Sequence, residues 1–421
     1  MSFLNRFVRH PSAWYYSLIP INMAVGSIRV VITLLALAVG GSVFDVGVII
    51  AANSIVTIVM SIAWGRLSDY FGVRIRFLLL FFIASAPMFA LLGLVSEVWQ
   101  VILLYTLSAA FIAGIQPIAT MYAVEYRGGK GWQKEIVKYN SFFNIGVILG
   151  LVVNSLIALV LPLSWVLYIA TAFCLVSALI LWRTAKEPKI PLERHAYPVM
   201  SLQDEENPTS MSVFDYFDPR RLKLFKRARR LKPIHLLFIA CLVHWTGVYS
   251  YGVGEVPFMR EIGLSASVIL SINVAENIAT VVSFSSLVPR IKTEYKKLVT
   301  SMIVVRSAII VGWAGLTVFL VYRSDFAFVF PLVFLVVFLA CYALVWYPIM
   351  CYAISQAQFD KKGTIQGELL AVVALANVLG SLFGGFIIAT FGYAVGFLVA
   401  ALISVLAIPI IRFINIEIKT D

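Results

Sequence analysis

Glu276 belongs to a stripe of polar side chains within an apolar segment. Over positions 264–288 the polar residues recur three and four residues apart, on one face of a helix: Asn273, Glu276, Asn277 and Thr280. Glu276 lies roughly 18 Å from either end of this segment at about 1.5 Å per residue. A carboxylate at that depth must face protein or a water-filled cavity. Glu276 is therefore the candidate proton carrier.

A second polar stripe contains an arginine. In the segment 13–38, Asn22, Arg29 and Thr33 share one helical face. Arg29 lies roughly 13 Å from the nearer end. A charge at that depth costs on the order of 3 kcal/mol unless it meets a partner or water. Because the stripe holds no acid, we expect Arg29 to bind an anionic or polar group of a ligand.

Other polar and aromatic residues within apolar segments are candidates for binding a ligand. They are Asn22, Asn53, Gln116, His244, Asn273, Asn277, Tyr342 and Trp346. A lone histidine such as His244 is more often a hydrogen-bonded residue of a helix than a proton carrier, and the two aromatic residues are as consistent with packing as with ligand contacts. Arg306 lies in the next apolar segment, 298–322, so two alternatives stay open for Glu276: a static ion pair with Arg306, or a position in a cavity where it exchanges a proton.

The elements that must position these residues are membrane-spanning helices. The chain has 421 residues, of which 61% are hydrophobic and 13% charged, against about 25% charged in soluble domains. Runs long enough to cross a bilayer predict twelve spans: 13–38, 46–64, 77–95, 98–121, 139–161, 164–183, 234–257, 264–288, 298–322, 326–352, 366–390 and 393–414. The expected fold is an all-α membrane protein with a six-helix bundle at 1–183, a linker at 184–233 and a second bundle at 234–421.

The distribution of positive charge predicts orientation and partners. The net charge is +12, and most of the 33 lysines and arginines lie in alternate connections between spans. This pattern predicts a plasma-membrane protein with both termini in the cytoplasm. It also argues against nucleic acid as a partner. Within the linker, Asp218 and Pro219 start a basic amphipathic stretch that we expect to bind anionic lipid of the inner leaflet; a soluble partner is the alternative.

The sequence lacks the motifs that are typical of several other classes of function. The four cysteines all fall inside apolar runs, so neither a disulfide framework nor a metal site is expected. No nucleotide-binding or nucleophile motif occurs, so we expect no cofactor and no enzyme activity. An enzyme acting on lipid-linked substrates is the alternative. It is disfavoured because the connections on the outer side are too short to carry acids or histidines at the membrane surface.

Glycine pairs indicate an internal repeat. Gly146 and Gly150 lie in the fifth predicted span, and Gly380 and Gly384 lie in the eleventh. Four-residue glycine spacing is typical of closely packed membrane helices. The matching positions, six spans apart, favour two parallel repeats.

A glycine-rich, charged connection joins the second and third spans. Its marked residues are Gly65, Asp69, Gly72, Arg74 and Arg76. We expect the two glycines to let the chain reverse. The sequence of this connection resembles the loop signature of the major facilitator superfamily, roughly Gly-x-x-x-Asp-Arg-x-Gly-Arg-Arg. Tyr70 and Val73 occupy positions where basic residues are usual.

The resemblance implies two six-helix bundles related by a pseudo-two-fold axis, acting as a monomeric secondary transporter of a small organic solute driven by a proton or other ion gradient. It implies that Asp69 and the nearby arginines gate the cytoplasmic side by tying helix ends together in the outward-facing state. Two alternatives stay open: a multidrug or metabolite efflux antiporter, and a receptor that binds without transport.

Overall fold

The computed structural model describes residues 12–125, 132–187, 233–291, 295–319, 328–355 and 362–414. These residues form long helices separated by short connections. The helices are α1 (Ala13–Ala38), α2 (Val43–Phe71), α3 (Ile75–Leu92), α4 (Val98–Ile112 and Ile115–Glu125), α5 (Trp132–Val160), α6 (Ser164–Thr184), α7 (Pro233–Glu261), α8 (Ala266–Arg290), α9 (Tyr295–Phe319), α10 (Val329–Ser355), and α11 with α12 (Lys362–Val405, followed by Ala407–Arg412).

The last apolar stretch contains two spans rather than one. Eleven stretches of the described chain are long and apolar enough to cross a membrane, and the last, Ile365–Arg412, has 48 residues. That length is roughly twice what a bilayer requires. Gly392 has φ 81° and ψ 171° and interrupts the helix there, a conformation that only glycine adopts readily. α11 therefore ends before Gly392 and α12 begins after it, which confirms the predicted twelve-helix fold.

The predicted glycine contacts pack corresponding helices in each half of the molecule. A Cβ on Gly150 of α5 would lie 2.4 Å from the Met23 carbonyl oxygen of α1. A Cβ on Gly384 of α11 would lie 2.4 Å from the Ser250 carbonyl oxygen of α7. Since the same contact recurs six helices later, it supports the repeat of α1–α6, the N-terminal half, by α7–α12, the C-terminal half.

The connection between α2 and α3 is shorter than its glycines suggested. α2 continues as a helix to Phe71, so Gly65 lies inside it and does not help the chain to reverse. Gly72 alone makes the turn, with φ 65° in the left-handed region that ends many helices. Nothing between Gly65 and Phe71 breaks a helix, which is why the predicted end at position 64 was wrong.

Residues 188–232, which include the predicted lipid-binding stretch, lie outside the described residues, so that partner remains a prediction. With twelve consecutive spans, the described chain begins and ends on one face of the membrane bundle. This is called the terminal face below, and the other is called the opposite face.

Candidate functional site

Arg29 projects from α1 between the two halves. Its Nη2 donates a hydrogen bond to the carbonyl oxygen of Gly252 on α7, at 3.4 Å. The side chain is exposed although it lies well within its span. α1 is interrupted just before it, since Gly26 separates the helical segments Leu18–Val25 and Ile28–Ala38. Arg29 thus belongs to one half and reaches the backbone of the other.

Two carboxylates of the C-terminal half lie within electrostatic range of Arg29. Glu255 of α7 and Glu276 of α8 both interact with its guanidinium, and they interact with each other. Glu276 is 6% exposed, and Glu255 is half-buried. Within the described chain, no ion pair of 4.0 Å or less joins Arg29 to either acid. The guanidinium and the two carboxylates therefore interact at distances longer than a salt bridge.

The amide residues near Glu276 bond mostly to their own helix. Asn273 Nδ2 donates to the Ile269 carbonyl oxygen at 3.0 Å, and Asn277 Nδ2 donates to the Asn273 carbonyl oxygen at 2.9 Å. Their amide oxygens accept no hydrogen bond that the described chain shows. The predicted stripe is therefore present along α8, with acceptor atoms left available beside the carboxylate.

The N-terminal half contributes fewer of the predicted side chains. Asn53 Nδ2 donates to the Tyr105 carbonyl oxygen at 3.4 Å, and Tyr105 interacts electrostatically with Arg29. Gln116 is exposed on the same face of α4, about 16 Å toward the terminal face. Asn22 lies elsewhere: it is 5% exposed, and a Cβ on Gly146 would lie 2.7 Å from its own Cβ. The Asn22 side chain therefore belongs to the packing of α1 on α5.

His244 and Arg306 form a separate polar cluster inside the C-terminal half. Arg306 Nη1 lies 3.1 Å from His244 Nε2, and His244 Nδ1 lies 3.0 Å from Ser404 Oγ. Arginine only donates, so Nε2 accepts and the imidazole is neutral with its proton on Nδ1. The Arg306 guanidinium also lies 4.1 Å from the ring centre of Phe338. Its described partners do not include Glu276, so the static pair considered for that carboxylate is not formed.

Aromatic rings line the neighbouring part of the C-terminal half. Trp245 lies 5.6 Å from Tyr342 and 6.0 Å from Trp346, measured between ring centres. Tyr342 and Trp346 are parallel to within 8°. Both are half-buried, so part of each ring remains uncovered. The two aromatic residues predicted on this helix therefore lie together.

The two halves touch toward the opposite face. Ser155 Oγ of α5 lies 2.6 Å from Ser271 Oγ of α8. A Cβ on Gly47 of α2 would lie 2.4 Å from the Ser381 carbonyl oxygen of α11. No side chain larger than hydrogen fits at Gly47 without moving a backbone apart.

The same helices separate toward the terminal face. Gly65 of α2 and Gly367 of α11 lie about 27 Å farther along from Gly47 and its contact Gly385. No described atom of a neighbouring segment lies within 4 Å of a Cβ placed on either glycine. The space between the halves, here called the gap, is therefore closed at the opposite face and opens toward the terminal face.

Arg74 organises the connection between α2 and α3. It is 2% exposed, and its Nη2 lies 2.6 Å from Asp69 Oδ1 and 2.9 Å from Glu125 Oε1. Glu187, beyond α6, accepts the backbone N–H groups of Arg74 and Ile75, each at 2.9 Å. A carboxylate is favourable at this helix N-terminus. Every described partner belongs to the N-terminal half, so the network joins helices of one bundle, and its gating role remains a prediction.

Three acidic residues at these sites were not among the predicted site residues. Glu125 is the last residue of α4, Glu187 lies just beyond the end of α6, and Glu255 lies near the end of its predicted span. The available signal for Glu255 was its face: it follows Gly252 by three residues, on the side of α7 that meets Arg29. The exposed Arg76 side chain makes no described contact.

Comparisons with known proteins agree with this architecture. The family model described as Major Facilitator Superfamily matches residues 16–367. A peptide transporter of the POT family, described as auto inhibited, has a TM-score of 0.74 at 14% identity, covering 99% of this chain and 98% of that one. The nucleoside transporter NupG has a TM-score of 0.68 at 14% identity, covering 97% and 99%.

The inward open xylose transporter XylE from E. coli has a TM-score of 0.64 at 14% identity, covering 96% of this chain and 94% of that one. No curated protein matches the sequence. At these identities, the likeness to solved structures concerns the fold.

Proposed function

The chain belongs to the Major Facilitator Superfamily, and we propose that it is a proton-coupled secondary transporter of a small organic solute. The observation that carries this proposal is the position of Arg29. It hydrogen-bonds to the other half at Gly252 while interacting electrostatically with Glu255 and Glu276. A charge set that spans two movable halves is a suitable place for a solute and a proton to compete.

The solute site lies in the gap, with Arg29 as the anchor for an anionic or polar group. The positive-inside pattern favours the cytoplasm for the terminal face, and with that orientation the open end of the gap supports an inward-open state. Transport requires the contacts at Ser155 and Gly47 to separate while the cytoplasmic ends of the halves close. The two halves rock about the site and expose it to each side in turn.

Glu276 is the proposed proton carrier. While it is ionised, it competes with the solute for the positive charge of Arg29. When it binds a proton, Arg29 keeps fewer anionic neighbours and attracts an anionic solute more strongly. Proton and solute then cross together. A cationic solute would instead displace the proton from the carboxylates, which would make the protein an efflux antiporter.

Finding a solute comes first. Purified protein is heated with a panel of nucleosides, dipeptides, pentoses and aromatic and aliphatic carboxylates. A solute that binds the folded state raises the melting temperature. Those that do so are then followed in proteoliposomes, both by counterflow without a gradient and by uptake with an imposed pH gradient.

The Glu276→Gln variant tests the coupling. We expect it to retain counterflow and to lose accumulation driven by the pH gradient, because glutamine cannot exchange a proton. Glu261→Gln is the matched control, since Glu261 is exposed at the end of α7, and should behave as the parent protein. Unchanged accumulation by Glu276→Gln would rule out its coupling role. Binding without counterflow in the parent protein would identify a receptor.

A further inference from the structure

Four aromatic residues of α7 and α10 form one continuous surface, here called the aromatic wall: Trp245, Tyr249, Tyr342 and Trp346. Trp245 is its centre, with ring-centre distances of 5.9 Å to Tyr249, 5.6 Å to Tyr342 and 6.0 Å to Trp346. Phe284 of α8 extends the wall, 5.9 Å from Tyr342.

The aromatic wall faces the gap. Trp245, Tyr249 and Gly252 are spaced four and three residues apart, so they share one side of α7. Gly252 accepts the hydrogen bond from Arg29 on the other half. This side of α7 is therefore turned toward the N-terminal half. Trp245 lies about 10 Å nearer the terminal face than Gly252, on the side where the gap is open.

Three of the four wall residues are partly exposed. Trp245 is 4% exposed, but Tyr249, Tyr342 and Trp346 are each half-buried. Within the part of the chain that the structure describes, no aromatic ring of the N-terminal half packs against them. Their geometry suits a planar ligand, because aromatic rings pack well against offset or edge-on rings of other molecules.

The charges around the wall favour an anion. The Arg306 guanidinium lies 5.1 Å from the ring centre of Trp245 and therefore already occupies the place of a cation beside that ring. Tyr249 interacts electrostatically with both Arg29 and Arg306. A ligand on the wall is thus flanked by two arginines. A cationic group there would meet like charge, whereas an anionic group can reach the exposed Arg29.

We propose that the transported solute is an aromatic acid, whose planar ring packs on the aromatic wall and whose anionic group binds Arg29. Because the wall and Arg29 lie at different levels along α7, a short flexible linker must separate the ring of the solute from its anionic group. This inference rests on the proposed function in one respect, that the gap is the solute site. It adds the chemical class, which the proton coupling does not determine.

The test uses four probes that share one skeleton: 3-phenylpropionate, 3-cyclohexylpropionate, 3-phenylpropan-1-ol and 3-phenylpropylamine. Each is titrated into the purified protein, and its apparent affinity is taken from the rise in melting temperature. We expect 3-phenylpropionate to bind at least tenfold more tightly than any other probe. The cyclohexyl acid removes the planar ring, the alcohol removes the charge, and the amine reverses it.

Variants locate the preference. Trp346→Leu should reduce the preference for phenyl over cyclohexyl acid to about threefold or less, and Tyr342→Leu provides a second variant if the first does not fold. Trp182→Leu is the matched control, because Trp182 of α6 is 67% exposed and remote from the wall. Arg29→Gln should remove the preference for the acid over the alcohol.

Three outcomes overturn the proposal: tighter binding of the amine, equal binding of the phenyl and cyclohexyl acids, or a ring preference that survives both wall variants. Absence of binding by all four probes also overturns it. These results concern binding without a gradient. They are therefore separate from the Glu276→Gln experiment, which can fail while the aromatic acid still binds.

Discussion

Arg29 and Arg306 are both arginines deep within membrane-spanning helices, yet their surroundings differ completely. Arg306 is 1% exposed and contacts His244 at 3.1 Å and the rings of Trp245 and Phe338 at 5.1 and 4.1 Å. All of these partners belong to its own half. Arg29 is exposed, and the one described hydrogen bond of its side chain, at 3.4 Å, crosses to the other half.

The difference supports the role proposed for Arg29. The requirements of Arg306 are largely met by neighbours that move with it, so it stabilises one bundle. Arg29 interacts with a carbonyl group and two carboxylates that belong to the opposite bundle, and in the proposed mechanism these move relative to it when the halves rock. A charge whose partners change during transport can exchange them for a solute. A charge with fixed partners cannot.

Truncating the two arginines should separate stability from transport. Arg306→Ala leaves a cavity, loses two aromatic contacts and strands the His244 acceptor, so we expect a loss of about 3 kcal/mol in the free energy of unfolding. Arg29→Ala should cost less than about 0.5 kcal/mol and should abolish transport. Unfolding in mixed SDS micelles and counterflow measure the two effects. Equal destabilisation by both variants would contradict the distinction.

Removing the partner of Arg306 should have a somewhat smaller effect. His244→Leu leaves a buried guanidinium without its acceptor, which costs about 2 kcal/mol. His244→Gln supplies a side-chain oxygen that accepts a hydrogen bond, so it should recover at least half of the loss. Equal instability of the two variants in the same unfolding measurement would show that the volume of His244, rather than its acceptor, supports Arg306.

Forcing the halves apart at Gly47 should open the opposite face of the gap. Gly47→Leu forces α2 away from α11, since even a Cβ there lies 2.4 Å from a carbonyl oxygen. A penalty of about 1 kcal/mol would change the population of the closed opposite face roughly fivefold.

The readout is labelling of a cysteine at Ser271 by an impermeant maleimide applied at the opposite face. Gly65→Leu is the control, because a Cβ on Gly65 meets no described neighbouring atom within 4 Å. Labelling that rises equally in both variants, or in neither, would contradict closure at Gly47.

The terminal face repeats the comparison between arginines on a smaller scale. Arg74 is 2% exposed and paired with Asp69 and Glu125, whereas the Arg76 side chain is exposed without a described contact. We expect Arg76→Ala to change the unfolding free energy by less than about 0.5 kcal/mol, and Arg74→Ala to cost clearly more. A larger effect of Arg76→Ala would reveal a partner for its side chain.

The sequence predicted the features that are local. Bilayer-length apolar runs located the twelve helices, and the spacing of Gly146 and Gly150 indicated a packing face before the contact with Met23 was known. Such features depend on residues along one helix. The end of α2 was misjudged because a glycine inside a helix and a glycine at its end look alike in sequence until φ is known.

Contacts between helices could not be predicted from the sequence. The alternatives for Glu276 depended on whether Arg306 faced α8, and the structure turns Arg306 toward His244 on α7. Glu255 gained importance only when Gly252, on the same face, was found against Arg29. Which face of one helix meets which neighbour depends on the packing of the whole bundle.

The accessibility of position 29 tests the central claim most directly. A single cysteine replaces Arg29 in a chain whose native cysteines are substituted, and a second chain retains only Cys241, which is 1% exposed inside the C-terminal half. A water-soluble maleimide is applied to the terminal face. The account predicts rapid labelling at position 29 and none at Cys241. Labelling at position 29 as slow as that of Cys241 would show that Arg29 does not face a water-filled gap between the halves.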